Sequence, residues 1–350
     1  MINRHCSLLF SATLLSCNMA FAQKFECETH KAQSPYQLDA PVGYDHTRFM
    51  PDTKTTLIKH FAAYSALFDD DDDDDGDGQP DRLGNPIAVM YELRGVEPDN
   101  GQFNEPSVSI ERPNPWYRDP DLAFMWQNTK TKGLDRSYAG VGRVWNRGHW
   151  AMADHAQRIS AQASCNTHVF WNASPQAAAL NQGPWRFLEN YTAALSNLHN
   201  QIWIVTGPIF DQAKEIAYIG SKGEVPVAVP HALFKVVFYQ QDGNLRWSAF
   251  VFEQDYTINK HAEKESHRVK PLSSWVKCNQ AKKRQHRYDL SAYVTSIGEI
   301  EKRTGLRFVP TLEDELREKV VNYLPNTVPV IPESYWDERT FCGVKALQFR

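Results

Sequence analysis

Six short runs, at residues 86–93, 148–153, 168–172, 202–206, 229–239 and 246–252, concentrate β-branched and aromatic residues. Runs of that length and content form strands more readily than helices. Set among them is one strong helical period from Asn181 to about Leu198, in which Trp185, Leu188, Tyr191 and Leu195 recur at three- and four-residue steps. Two further helices fit residues 291–303 and 311–322, the second opened by Thr311 and by Glu313 to Glu315 as capping residues. Strands in series, with helices between and after them, predict an α+β chain whose core is a mixed, mainly antiparallel sheet. With 350 residues and 42% hydrophobic content, the chain is long enough to bury such a sheet in one large core.

The N-terminus and the cysteines point to an oxidising destination. In the first 22 residues Arg4 is the only charge, residues 8–15 are largely apolar, and Ala20-Phe21-Ala22 precedes Gln23. This pattern reads as a secretory leader cut after Ala22, which predicts a secreted or periplasmic protein. Acylation at Cys17 is the weaker alternative, because Leu15 fits such a signal poorly. Cys27, Cys165, Cys278 and Cys342 lie beyond the leader, an even set that predicts two disulfides and leaves three pairings open. No later run is apolar for long enough to cross a membrane as a helix. The oligomeric state is not legible.

Charge is unevenly spread. The formal net charge is −4, yet residues 69–81 hold nine aspartates and no lysine or arginine. Setting these nine of the 42 acidic residues aside leaves 33, against 38 lysines and arginines, so the rest of the chain is mildly basic. A polyanion needs only a local positive groove. The acidic run ends in Asp73-x-Asp75-x-Asp77-Gly78-x-x-Asp81. Alternate oxygens followed by glycine let a chain wrap around a hard cation, so Asp73, Asp75, Asp77 and Asp81 are candidate ligands of a structural Ca²⁺, without the closing glutamate of an EF-hand. A solvated acidic run is the plainer alternative. The resulting division is a leader at 1–22, an N-terminal extension at 23–68, an acidic loop at 69–85, a main domain at 86–312, and a C-terminal helix and tail at 313–350.

The chemistry concentrates between Asn146 and Glu189. There the chain carries Asn146-Arg147-Gly148-His149, Asn172-Ala173-Ser174-Pro175-Gln176, Asn181-Gln182-Gly183-Pro184-Trp185 and Leu188-Glu189. Phosphodiester hydrolysis needs a base for water, positive charge for the phosphate and a Lewis acid for the leaving oxygen. A neutral histidine suits the first task, an arginine fork the second, and an asparagine oxygen can hold a largely hydrated Mg²⁺ for the third. A histidine on a strand also serves as an ordinary structural residue, and an asparagine at a helix start as an N-cap.

The window resembles the DNA/RNA non-specific endonuclease family, a ββα-metal-finger group with an Asp-Arg-Gly-His motif, an Asn-x-x-Pro-Gln segment and Asn-x-x-x-Trp-x-x-Leu-Glu. Further similarity lies at Thr206-Gly207-Pro208-Ile209, Pro230 to Lys235 and residues 299–308, so it covers roughly residues 86–310. The resemblance implies a ββα-metal finger on the sheet and a nuclease acting on DNA and RNA. His149 would activate water, and Asn181 would be the direct ligand of Mg²⁺, with Mn²⁺ as a substitute. Glu189 would hold the metal's waters, Arg147 would contact phosphate, Asn172 would align the strand opposite His149, and Arg112 would be a second phosphate arginine. The chain departs from the family at Asn146, where the usual residue is Asp, removing a carboxylate that could have stabilised the imidazolium. A non-catalytic, calcium-stabilised binding module of the same fold and a phosphodiesterase for small substrates are the competing readings. Lys282-Lys283-Arg284, with His286 and Arg287, forms a basic stretch that can meet backbone phosphate or simply face solvent.

Overall fold

Sixteen of the eighteen residues in Pro86–Arg94 and Gln201–Ile209 are buried, and these two segments pair at the centre of a sheet. The computed structural model describes residues 24–27, 39–53, 57–68, 84–126, 129–130, 133–272, 274–325 and 327–342. The expected leader with its cut after Ala22, and Asp73, Asp75, Asp77 and Asp81 of the acidic loop, lie outside the described residues. In chain order the elements that frame the site are β1 (Ile58–Phe61), β2 (Tyr64–Phe68), β3 (Pro86–Arg94), β4 (Trp145–His149), β5 (Ala173–Ala177), α1 (Pro184–His199), β6 (Gln201–Ile209), β7 (Ala232–Gln241), β8 (Asn244–Glu253), α2 (Cys278–Ala281), β9 (Val294–Thr295), α3 (Ile297–Thr304) and α4 (Asp314–Val321).

Seven of these strands form one sheet in the order β9-β8-β7-β6-β3-β2-β1, and every neighbouring pair is antiparallel. Alternation along each strand splits the core in two. On β7, Leu233, Val237 and Tyr239 face α1, while Phe234, Val236 and Phe238 face the layer made by Ile297 and Ile300 of α3 and Val320 and Val321 of α4. A strand buried on both sides reads as a continuous apolar run, which is why the central strands are plain in the sequence. The β4–β5 pair and α1 together form a ββα unit lying over the first of these faces.

Residues 58–68, read from sequence as part of an extension, contribute the β1–β2 edge of the sheet. The C-terminal segment also joins the core: Ile331 and Trp336 are buried, and the Trp336 ring stacks on Phe187 of α1 at 5.8 Å.

Several element bounds differ from expectation. The strand expected at 148–153 runs instead from Trp145 to His149, and a short helix, Ala153–Gln157, follows it. Its partner, expected at 168–172, is Ala173–Ala177, preceded by a 3-10 turn at Phe170–Asn172. Ala-Ser-Pro-Gln-Ala has little intrinsic strand preference, so tertiary pairing with β4 decides its state. The helix expected at 291–303 starts at Ile297, because Ser296 caps it by accepting from the Glu299 N–H at 3.2 Å.

Of the three cysteine pairings, the structure contains Cys27–Cys165 and Cys278–Cys342, which close loops of 138 and 64 residues. Loops that long give a chain-entropy stabilisation of about 4–5 kcal/mol each before native strain is subtracted. Replacing Cys278 and Cys342 by Ser is expected to lower the unfolding free energy by about 2–4 kcal/mol, read from the urea midpoint. A midpoint identical to that of the oxidised protein would remove this bridge from the stabilising set.

Candidate active site

Gly148 sets how closely β4 and β5 can pack. Arg147, Gly148 and His149 lie opposite Pro175, Ser174 and Ala173. A Cβ at position 148 would run into the side chain of Gln176, so only glycine fits. Pro175 is tolerated because the pair has only two strands and both have free edges. The chain leaving His149 is then clamped by Asn172, which is fully buried. Its Oδ1 accepts from the Ala151 N–H at 2.7 Å, and its Nδ2 donates to Ala151 O at 2.9 Å and Thr167 O at 3.0 Å.

Beside this clamp lies an open cleft of about 930 Å³. Arg112, Arg147, His149, Asn181 and Glu189 all line it, so five of the six residues expected at the centre come together there. Asn172 does not line it and acts through the backbone that carries His149.

The His149 ring sits between two aromatic walls, with ring centroids 4.8 Å from Trp116 and 4.9 Å from His168. Its Nε2 is buried and has no hydrogen-bond partner. Arg147 donates from Nη1 to Asp135 Oδ1 at 2.7 Å, and its guanidinium lies 5.1 Å from the Trp116 ring centre. The same Asp135 oxygen accepts from the Trp116 N–H at 3.0 Å, so one carboxylate fixes both the arginine and the ring that walls the imidazole. Burial holds the His149 pKa well below the ordinary imidazole value, and the charges of His168, Arg112 and Arg147 add to this. His168 lies within hydrogen-bond distance, 3.2 Å, of both Ser164 O and Cys165 O through Nδ1. Nδ1 is therefore its protonated nitrogen, which leaves the buried Nε2 as an unpartnered acceptor. Burial, and then Arg112, push His168 down to about 4.

Asn146 does not act on His149. Its Oδ1 accepts from Asn181 Nδ2 at 3.1 Å and Gln182 Nε2 at 2.9 Å, and its own Nδ2 donates to Gly142 O at 3.0 Å. The expected loss of a charge beside the base is thereby corrected: the position holds the amide of Asn181, and an amide oxygen accepts there as a carboxylate oxygen would. With its Nδ2 so engaged, Asn181 keeps Oδ1 free on the cleft side. Asn181 is also not the N-cap of α1. It ends a short helix, Ala178–Asn181; Gly183 intervenes, packed too tightly against Val276 O and Ala179 O to carry a Cβ, and α1 starts at Pro184.

Glu189 lies one turn into α1, with Lys235 of β7 beneath it. Lys235 is fully buried, its Nζ has no hydrogen-bond partner and lies 4.7 Å from the Trp185 ring centre. Burial raises the Glu189 pKa against the pull of Lys235, and burial lowers that of Lys235 against the pull of Glu189. Among the described residues no three His, Cys, Asp or Glu side chains converge as a metal cage. An amide oxygen with the carboxylates of Glu189 and Asp154 lining the same cleft fits a hard cation that keeps most of its own waters, and it fits a closed zinc site poorly.

The sequence carries no distinct signal for Asp135 or for the electrostatic place of Lys235. His168 had one available signal, a polar residue opening the apolar run Val169-Phe170-Trp171.

The DNA/RNA non-specific endonuclease profile matches residues 80–315, about two thirds of the chain. The chain belongs to this family. Among curated relatives, the mitochondrial nuclease EXOG of Mus musculus is 30% identical over 186 residues, 51% of this chain and 43% of that protein. Mitochondrial endonuclease G of Bos taurus is 32% identical over 117 residues, 32% of this chain and 38% of that protein. A nuclease of Serratia marcescens is 24% identical over 212 residues, 58% and 64% respectively. The chain thus spans about half the length of the relatives it matches.

In this family member, any rate that depends on neutral His149 is expected to persist below pH 6.5, because a lowered pKa keeps the ring deprotonated into more acidic solution. Arg112→Gln removes one of the opposing charges and is expected to move the acid limb of the pH–rate profile upward. An acid limb at or above pH 6.5 in the unaltered protein would contradict this assignment.

Proposed function

We propose that this chain is a secreted or periplasmic, Mg²⁺-dependent endonuclease that hydrolyses phosphodiester bonds of DNA and RNA with little sequence preference. The observation that carries the reading is His149, with no hydrogen bond to Nε2 among the described residues, lining one cleft together with Arg147, Arg112 and Asn181. His149 takes the proton from an attacking water, and its depressed basicity keeps it available for this at neutral pH. Arg147, held by Asp135, and Arg112, which has no ion pair among the described residues, meet phosphate oxygens without reading base edges. Asn181 and Glu189 would hold Mg²⁺, or Mn²⁺ in its place. When bound, the ion supplies Lewis-acid stabilisation of the leaving oxygen. Two disulfides support an oxidising destination, and the leader read at residues 1–22 supports export.

Plasmid and RNA digestion in Mg²⁺ is expected to fall by about 10²- to 10⁴-fold in His149→Ala, with an unchanged circular dichroism spectrum. Full activity in that variant would end the mechanism. Digestion of a small chromogenic diester but not of plasmid would favour a small-substrate phosphodiesterase, and binding without cleavage of either would favour a non-catalytic module.

We further propose that Asp73, Asp75, Asp77 and Asp81 bind a structural Ca²⁺. Selective binding to the folded chain raises stability by mass action, so millimolar Ca²⁺ is expected to raise the melting temperature. No shift at that concentration would refute the site.

A further inference from the structure

We propose that residues 277–287 form a phosphate-binding shelf that extends the cleft along a polynucleotide strand, away from the bond being cut. Lys277, Lys282, Lys283, Arg284 and Arg287 place five cations in this stretch with no carboxylate among them. Lys282, Lys283, Arg284 and Arg287 are exposed. None of the five takes part in an ion pair or side-chain hydrogen bond among the described residues, whereas Arg147 in the cleft is already bound to Asp135.

The stretch is held against the metal side of the cleft. The Cys278 N–H donates to Gln182 O at 2.7 Å, and Gln182 lines the cleft. Tyr288, at the far end, donates to Val276 O at 2.6 Å and stacks on Phe187 at 5.2 Å. Phe187 follows Arg186, an exposed arginine of the cleft wall. Ala281 is fully buried, and the Cys278–Cys342 bridge ties α2 to the C-terminal segment. Like charges fixed this close together repel, and nothing in the fold relieves them. A mobile run could spread into solvent, but this one is pinned at both ends. A strand of DNA or RNA, with a phosphate about every 3.4 Å, relieves the repulsion and gains the entropy of released counterions. A single nucleotide in the cleft offers too few phosphates to reach it. The shelf rests on the reading of the cleft as a polynucleotide site.

The test uses the oxidised full chain carrying His149→Ala, without divalent metal, and fluorescence anisotropy with a 24-base-pair duplex and a tetranucleotide over a range of KCl. Lys282→Gln/Lys283→Gln/Arg284→Gln is expected to lower the slope of log Kd against log salt for the duplex by about 2–3, and to raise its Kd at least tenfold near 100 mM salt. The tetranucleotide should lose much less. A control triple on the opposite face of the sheet, Lys302→Gln/Arg307→Gln/Lys319→Gln, is expected to leave the slope within error. An unchanged duplex slope in the shelf variant, or an equal fall in the control, overturns the shelf. Duplex binding with the expected slopes, together with no plasmid or RNA cleavage in Mg²⁺ by the chain that keeps His149, would overturn the endonuclease reading and leave the shelf standing. Absence of duplex binding by the parent would overturn both.

Discussion

Burying β7 on both sides leaves Lys235 no route to water. Its neighbours across the strand register are Phe250 and Thr206, whose hydroxyl is spent on Phe234 O, and the residues before and after it, Phe234 and Val236, fill the opposite core. An ammonium in that position costs several kcal/mol unless an opposite charge is near. The available one is Glu189, which α1 brings over the same face of the sheet. The register of α1 is fixed by the packing of Trp185, Leu188, Tyr191 and Leu195 into the core over this face. That register in turn sets where Trp185, Arg186 and Phe187 emerge, and through them the walls of the cleft and the seat of Tyr288.

The cleft is assembled from segments that meet only in the fold. Asp135 reaches Arg147 and Trp116, Asn146 reaches Asn181, and Asn172 reaches the backbone just beyond His149. Each of these is a neutral or charge-balanced contact that orients a working group and leaves its reactive atom unengaged. Exchange of the family's carboxylate for Asn146 fits this logic. The position receives two amide donors, a job an amide oxygen performs, and its own Nδ2 gains the carbonyl of Gly142, which a carboxylate could not have used. The exchange therefore removes a negative charge from beside the amides of Asn181 and Gln182 while an oxygen acceptor is kept there.

Sequence made the central strands legible because continuous apolar runs have few other uses, and it made α1 legible through Trp185, Leu188, Tyr191 and Leu195. It misplaced the β4–β5 pair, whose alanine, serine and proline carry no strand preference and are held by partners 24 or more positions away. The motif residues were found because their order along the chain is distinctive. Asp135 and His168 were not, since a lone aspartate and a lone histidine acquire meaning only from what folds against them. Asn146 was noticed for the right reason, its departure from the family pattern, but was assigned to the wrong neighbour. Strand position alone could not say which of two adjoining amides it would face.

The break at Gln182 and Gly183 separates two jobs that a single helix would have merged. Asn181 terminates its own short turn, and α1 begins afresh at Pro184. Asn181, the proposed cation ligand, thus sits on a hinge-like joint outside the hydrogen-bond ladder of α1, while Glu189 stays in the rigid body. Of the six residues between β5 and α1, Leu180 and Gly183 are locked into the packing, whereas Asn181 and Gln182 line the cleft. Side-chain changes at these two positions can alter the cleft, in evolution or in the laboratory, without disturbing the packed core beneath.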